Sequence, residues 1–86
     1  MGLYQTRGIN DAVATSEQFA KEITAAICKF FAGDWGDTCA SDTRLNDNAL
    51  ANGERIVALY NTSKGRVFII TEHGHEITTI LFGHEY

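Results

Sequence analysis

Three short runs rich in β-branched and aromatic residues fill the last third of the chain, and they constrain the fold more than any other feature of the sequence. They read RIVALY, RVFIIT and EITTILF, and they are separated by NTSKG and by a segment containing HGH. Such runs, bounded by Gly, Asn and Ser, are typical of strands, and short connections make consecutive strands antiparallel. The sequence therefore predicts a three-stranded antiparallel meander from residue 54 onward.

Both faces of these predicted strands are apolar. In the first strand, Ile56, Ala58 and Tyr60 alternate with Val57 and Leu59. Successive side chains of a strand point to opposite faces of the sheet. We therefore expect one face to pack under helices and the other to be partly covered or used for contact.

A helical pattern precedes the strands. Ser16 is a good N-cap, Glu17 is favourable in a first helical turn, and Gly33 is expected to end the helix. The apolar residues between these ends recur at spacings of three and four, which places them in one stripe. They are Phe19, Ile23, Ala26, Ile27 and Phe30.

A second helix is expected after the loop GDWGDTC, residues 33–39. Ser41 or Thr43 can cap its N-terminus. Gly53 directly follows Asn52 and is expected to stop the helix.

The N-terminal segment is less regular. Residues 3–7, LYQTR, are predicted as a short extended lead-in, and residues 9–15 as one helical turn or more. The predicted fold class is α+β, with N-terminal helices packed on a C-terminal three-stranded antiparallel β-meander. A chain of 86 residues is expected to form a single domain, residues 1–86.

Acidic residues outnumber basic ones by 11 to 7, which gives a net charge of −4. The Lys and Arg residues do not cluster, so we expect no direct nucleic-acid binding. An acidic surface can meet a basic partner, and it also keeps a small domain soluble.

No apolar run is long enough to cross a membrane, and the N-terminus lacks the apolar stretch of a signal peptide. We expect a cytoplasmic protein that is a monomer or a small homo-oligomer.

The segment EHGHE, residues 72–76, holds two of the three histidines and has two interpretations. In the first, His73 and Gly74 form the centre of a polar hairpin turn. In the second, the two histidines are half of a structural zinc site, which would reinforce a short chain. The other half would come from the loop GDWGDTC. The predicted ligands are His73, His75, Cys39 and Asp37.

An enzymatic alternative uses some of the same residues. In one form, Cys39, which stands directly before a predicted helix as reactive cysteines often do, is a nucleophile with a histidine as its base. In the other form, a small metal-dependent hydrolase uses His73, His75 and Cys39, with Glu72 as the base. However, no nucleophile signature and no phosphate-binding glycine pattern surround these residues. A domain of this size also has little volume for a deep pocket. We therefore expect a binding protein and not an enzyme.

Carboxylates and aromatic residues are the candidates for contact with a partner. Interfaces favour Trp and Tyr near their centres, and the single Trp lies in a loop between two aspartates. Acidic side chains near it, and others near the histidines, would supply charge. The predicted partner-binding residues are Asp34, Trp35, Asp42, Glu72, Glu76 and Tyr86.

The run GDWGDTC, followed by NDNAL, NGERI, FIITE, TTILF and the final EY, resembles a family of small bacterial proteins of plasmids, phages and other mobile elements. The resemblance spans about residues 3–86, and GDWGD is its most specific part. Members carry labels such as plasmid-related protein or, misleadingly, type I restriction subunit M. The chain lacks the glycine-rich loop and the size of a cofactor-binding methyltransferase sheet. The HGH segment departs from the family's pattern.

The mobile-element setting of that family implies an inhibitor of host defence, such as an anti-CRISPR protein that binds a Cas effector. An effector that holds nucleic acid presents a positively charged channel. A small acidic protein can dock there through electrostatic complementarity. The alternatives are the small metal-dependent hydrolase and an accessory or regulatory module of a plasmid-encoded complex, such as an antitoxin.

Overall fold

The computed structural model describes residues 2–86, which form three α-helices and a four-stranded sheet. A short 3₁₀ turn, Gly83–Glu85, follows the last strand. The elements in chain order are β1 (Gly2–Gln5), α1 (Arg7–Thr15), α2 (Glu17–Phe31), α3 (Ala40–Asn52), β2 (Ile56–Thr62), β3 (Gly65–Thr71) and β4 (Ile77–Phe82).

The sheet has the strand order β1-β4-β3-β2. The antiparallel meander of β2, β3 and β4 is as predicted, and the α+β class is confirmed. The predicted number of strands is wrong, because β1 adds a fourth strand. This strand runs parallel to β4, with Gly2 opposite Ile77. The sheet is therefore mixed and not wholly antiparallel. The sequence predicted an extended segment here, but the strand with which it pairs lies at the other end of the chain, beyond the reach of local patterns.

Helices α1 and α2 cover one face of the sheet, which we call the inner face. Ile56, Ala58 and Tyr60 of β2 point into this core, as the alternation predicts. The predicted stripe of α2 packs on them, and the ring of Phe19 stacks on that of Phe82 with centroids 5.5 Å apart. Phe19 is fully buried, so truncating it to Ala would cost about 3–5 kcal/mol of the free energy of unfolding.

The ends of the helices follow from local chemistry, with one exception. The Ser16 Oγ accepts a bond from the Phe19 N–H at 3.2 Å, so the predicted N-cap of α2 is confirmed. Gly53 ends α3 with a φ of +71°, also as predicted. The predicted cap at Ser41 or Thr43 is wrong, because α3 begins at Ala40 and its N-cap is Cys39, which makes no side-chain capping bond.

The other face of the sheet, the outer face, carries apolar side chains from every strand of the meander. Val57, Leu59 and Phe68 are half-buried there, and Ile70 and Leu81 are buried outside the main core cluster. The sequence predicted that this second face is partly covered or used for contact, and it is partly covered. In residues 2–86, no helix has both the length and the apolar character needed to cross a membrane.

Candidate functional site

The loop between α2 and α3, residues 33–39, is held by its own side chains. The Asp34 carboxylate accepts a bond from the Gly36 N–H at 2.9 Å, and the Asp34 carbonyl accepts from the Tyr60 hydroxyl at 2.7 Å. The Trp35 side chain is buried, and its Nε1 donates to the Asp47 carboxylate at 2.8 Å. Burial, followed by the nearby carboxylates, raises the pKa of the Tyr60 hydroxyl, which therefore stays protonated as a donor.

The same loop covers the free edge of β2. The Leu59 N–H donates to Thr38 Oγ1 at 2.9 Å, and the Leu59 carbonyl accepts from the Asp37 N–H at 2.8 Å. The Asp37 carboxylate also accepts from the Asn61 N–H at 2.8 Å. The loop thus takes the position of a fifth strand beside Leu59, and it gives partners to both backbone groups of Leu59 and to the Asn61 N–H.

Helix α3 continues this cover toward the beginning of β2. Asn46 is buried, and its Nδ2 donates to the Val57 carbonyl at 2.8 Å while its Oδ1 accepts from the Val57 N–H at 3.3 Å. One amide side chain therefore pairs with both backbone groups of one strand residue, as a neighbouring strand would. Asp37 and Thr38 of the loop, together with Asn46 of α3, thus bond the edge backbone of β2, a structural role that the sequence did not indicate.

The EHGHE segment forms the β3–β4 turn, as the polar-turn interpretation predicts. The His75 N–H donates to the Glu72 carbonyl at 2.9 Å, with Gly74 at a φ of +89° in the third position, which is typical of a type II turn. The turn docks on the connection between α3 and β2. The Gly74 N–H donates to the Gly53 carbonyl at 2.8 Å, and His75 Nε2 lies 2.8 Å from the Glu54 carbonyl oxygen.

The predicted zinc ligands do not come together. No group of three or more His, Cys, Asp or Glu side chains within residues 2–86 is arranged to hold a metal ion. The potential donors have other partners: a ring nitrogen of His75 bonds a carbonyl, the Asp37 carboxylate caps β2, and Cys39 Sγ lies 3.5 Å from Ser41 Oγ. His73 is exposed at the turn. Within the described residues, the four predicted ligands therefore do not form an assembled set.

The predicted partner-binding residues occupy different environments. Trp35 is only 4% exposed, so it belongs to the core and not to the surface. Asp34 and Glu76 are exposed, and Glu72 is paired with Arg55 at 3.1 Å. The remaining two, Asp42 and Tyr86, line the same concavity.

This concavity, which we call the outer groove, has a volume of about 550 Å³. Its floor is the apolar outer face of β2 and β3. One side is formed by the GDWGDTC loop and α3, and the other by the C-terminal residue and the residue before β2. Its lining residues are Asp37, Thr38, Cys39, Asp42, Leu45, Asn46, Arg55, Val57, Leu59, Phe68 and Tyr86.

Tyr86 and Arg55 form one side of the outer groove. The Tyr86 ring meets the Phe68 ring edge-on with centroids 5.1 Å apart, and its hydroxyl accepts a bond from Arg55 Nη1 at 3.2 Å. The guanidinium carbon also lies 5.9 Å from the Tyr86 ring centroid, within cation–π distance. The bond to Tyr86, supported by Glu72, raises the pKa of Arg55, whose positive charge on this side of the groove is paired with the Glu72 carboxylate at 3.1 Å.

The opposite side of the outer groove is acidic. Asp37 and Asp42 line it, and Asp42 lies in the first turn of α3. The segment of residues 34–54 holds five acidic residues and one arginine, while acidic and basic residues balance in the rest of the chain. The whole excess of negative charge is therefore carried by the loop and helix along this side of the groove.

Sequence reasoning singled out four of the groove residues as site residues. Asp42 and Tyr86 were predicted as partner-binding, and Asp37 and Cys39 as metal ligands, but Arg55, Leu45 and Phe68 were not singled out. No local pattern marks them, because they come from separate elements that only the fold brings together. One signal was present, namely that both faces of the predicted strands are apolar.

A scan against protein-family models and searches of curated proteins and of solved structures each returned no match. The geometry alone therefore describes what the outer groove can do. An apolar floor can bury side chains of a partner, and charged groups at the rim can select the partner's charge.

Proposed function

We propose that this chain is a small acidic binding protein that uses the outer groove to engage a protein partner. The partner segment has an apolar residue for the floor and Lys or Arg side chains for the acidic side. The observation that carries this proposal is the coincidence of the half-buried apolar floor with the segment that holds the chain's entire acidic excess.

The floor supports the proposal because the inner face already supplies the core. Val57, Leu59 and Phe68 lie on the opposite face and are half-buried, and the Tyr86 ring packs edge-on against Phe68. Leu45, on the side of the groove formed by α3, is 63% exposed. Apolar side chains gathered in a concavity and rimmed by charge are typical of interaction sites.

The charge distribution supports a basic partner. Asp42 makes no ion pair with another described residue, and negative charge is concentrated along this side of the groove. Such a surface attracts cationic segments and raises the rate of association, and salt weakens both effects. A protein surface that binds nucleic acid is rich in Lys and Arg and matches this requirement.

Combined with the resemblance to mobile-element proteins, this chemistry favours an inhibitor of host defence that occupies the basic surface of a Cas effector. Inhibition would result from occupancy, so the proposal requires no metal and no catalytic residue. The choice of effector rests on the resemblance, whereas the choice of binding surface rests on the groove.

The proposal can be tested with purified Cas effectors and with a phage or plasmid interference assay in bacteria. The wild-type chain is expected to bind an effector and to protect the invading DNA. Asp42→Lys and Leu45→Lys should each weaken binding at least about tenfold, since each alters a group at the groove. The matched controls are Asp11→Lys on α1 and Leu50→Lys on α3, which alter exposed residues outside the groove.

Absence of binding and of protection by the wild-type chain would refute the inhibitor proposal. Protection that persists in both groove variants would show that another surface is responsible. Binding that does not weaken with added salt would contradict the role assigned to the acidic side.

A further inference from the structure

The two edges of the sheet differ. At the β2 edge, the outward backbone groups of Val57 and Leu59 are bonded by Asn46, Thr38 and Asp37. At the β1 edge, no described residue bonds the outward backbone groups. An uncovered edge strand is a template for pairing with another strand.

The register of β1 decides which of its backbone groups face outward. The N–H groups of Gly2 and Thr6 donate to carbonyls at 76 and 80, at 2.7 and 3.1 Å. Alternate residues of a strand bond the same neighbour, so Tyr4 also bonds toward β4, with which β1 is parallel. Leu3 and Gln5 therefore each direct one N–H and one C=O away from the sheet.

We propose that β1 pairs with β1 of a second copy of this chain, antiparallel and about a twofold axis at Tyr4. Leu3 of one copy then lies opposite Gln5 of the other, and each such pair exchanges two N–H···O=C bonds. The twofold axis repeats this pair, so every outward backbone group of both strands finds a partner. The four strands of each copy join into one continuous sheet.

The side chains of β1 suit a second copy. The strand GLYQ has no charged residue and no proline, so an antiparallel copy brings no like charges together. The two Tyr4 residues face each other as a non-hydrogen-bonded pair, the closest kind in such a ladder, where aromatic pairs are favourable. Tyr4 is 58% exposed and Leu3 is 43% exposed, and the pairing covers apolar surface of both.

Charge also permits this assembly. The acidic segment, residues 34–54, lies along β2, at the opposite edge of the sheet from β1. Strands in a sheet are spaced by about 4.8 Å, so three intervals place this charge beyond the Debye length of about 8 Å at physiological salt. The proposal is independent of the outer groove, because the groove lies toward the capped edge.

The contact is short, since β1 has 4 residues. Small interfaces belong to weak or transient complexes, so we expect a dissociation constant in the micromolar range or above. The dimer should depend little on salt, because the paired strands are uncharged.

Sedimentation and native mass spectrometry of the full chain, from micromolar to millimolar concentration, test the proposal. The wild-type chain should form dimers. Tyr4→Lys and Tyr4→Glu should each be monomeric, because like charges meet at the axis, and an equimolar mixture should form the heterodimer. Ile77→Lys is the control: it adds a charge to an exposed residue of the same face, on β4. This variant should still dimerise.

A second variant guards against loss of folding in the first. Gln5→Pro removes one outward N–H, a change that edge strands tolerate, so circular dichroism should remain that of the wild type while dimers are lost. A wild-type chain that stays monomeric at all concentrations overturns the proposal, as does a dimer that persists in folded Tyr4→Lys or Gln5→Pro. A wild-type monomer that adds a strand of another protein at this edge also overturns it.

Discussion

Gly36 occupies the tightest position of the loop between α2 and α3. Its φ of +63° lies in the left-handed region, and an added Cβ would collide with the Tyr60 ring and lie 2.9 Å from the Leu59 carbonyl oxygen. Gly33, in the same loop, also has a positive φ of +80°, but nothing lies within 4 Å of its Cβ position. A side chain at Gly33 would therefore cost only backbone strain, whereas a side chain at Gly36 would cost backbone strain and a steric collision.

We predict that Gly33→Ala lowers the free energy of unfolding by about 1–2 kcal/mol, the cost of a left-handed alanine. Gly36→Ala should lose about 1–3 kcal/mol more, because the added methyl group also collides with Tyr60 and the β2 backbone. Urea denaturation of both variants measures the difference. Equal losses would show that the loop moves away from β2 without cost.

At the scale of elements, the sequence predicted those features that depend on residues close together in the chain. The apolar stripe of α2, its cap Ser16, the stop at Gly53 and the three C-terminal strands all follow from residues close together in the chain. The pairing of β1 with β4 and the capping of β2 do not, because each depends on contacts between distant segments. The interactions of GDWGD and HGH within the fold were not predicted for the same reason, since both segments bond backbone groups of residues distant in the chain.

The capping of β2 by Asn46 gives a second prediction. Asn46→Ala should lower the free energy of unfolding by about 2–3 kcal/mol, because both backbone groups of Val57 lose their partner in a partly buried place. Asn48→Ala, at an exposed residue of the same helix, is the matched control for helix propensity and should change stability by about 0.5 kcal/mol or less. Thermal and urea unfolding would distinguish them, and similar values for the two variants would contradict the capping role.

On the scale of the whole molecule, the structure distributes its contacts unequally around the sheet. The inner face holds the core, the outer face holds the groove, the β2 edge is covered, and the β1 edge is open.

Glu85 joins two distant parts of this arrangement. Its Oε1 accepts bonds from Thr6 Oγ1 and from the Phe82 N–H, each at 2.8 Å, and so links the end of the sheet to the N-cap of α1.

These bonds predict an acid-sensitive contribution to stability. The bond from the Phe82 N–H, and then the bond from Thr6, lower the pKa of Glu85 below its ordinary value of 4.5. A lowered pKa in the folded state means that the unfolded state binds the proton more readily. The contribution is therefore present above a pH of about 4.5 and is lost as the pH falls through the lowered pKa.

Glu85→Gln should remove this contribution, so the variant should be less stable than the wild type at neutral pH, with a difference that shrinks in acid. Glu76→Gln, at an exposed residue, is the matched control and should keep the wild-type dependence. Urea denaturation as a function of pH measures both. A Glu85→Gln variant whose deficit is constant from neutral pH to pH 3 would contradict the assignment.

The covered edge of β2 also limits the assemblies that this protein can form by strand addition. A sheet that is open at both edges can grow without end, since each added copy exposes a new edge, and filaments are the result. Here the loop and Asn46 occupy one edge, so strand addition can occur only at the other. A copy that adds through its β1 edge therefore exposes no second open edge to which another copy could add. The residues that stabilise the monomer at β2 thus also prevent fibrillar growth by strand addition.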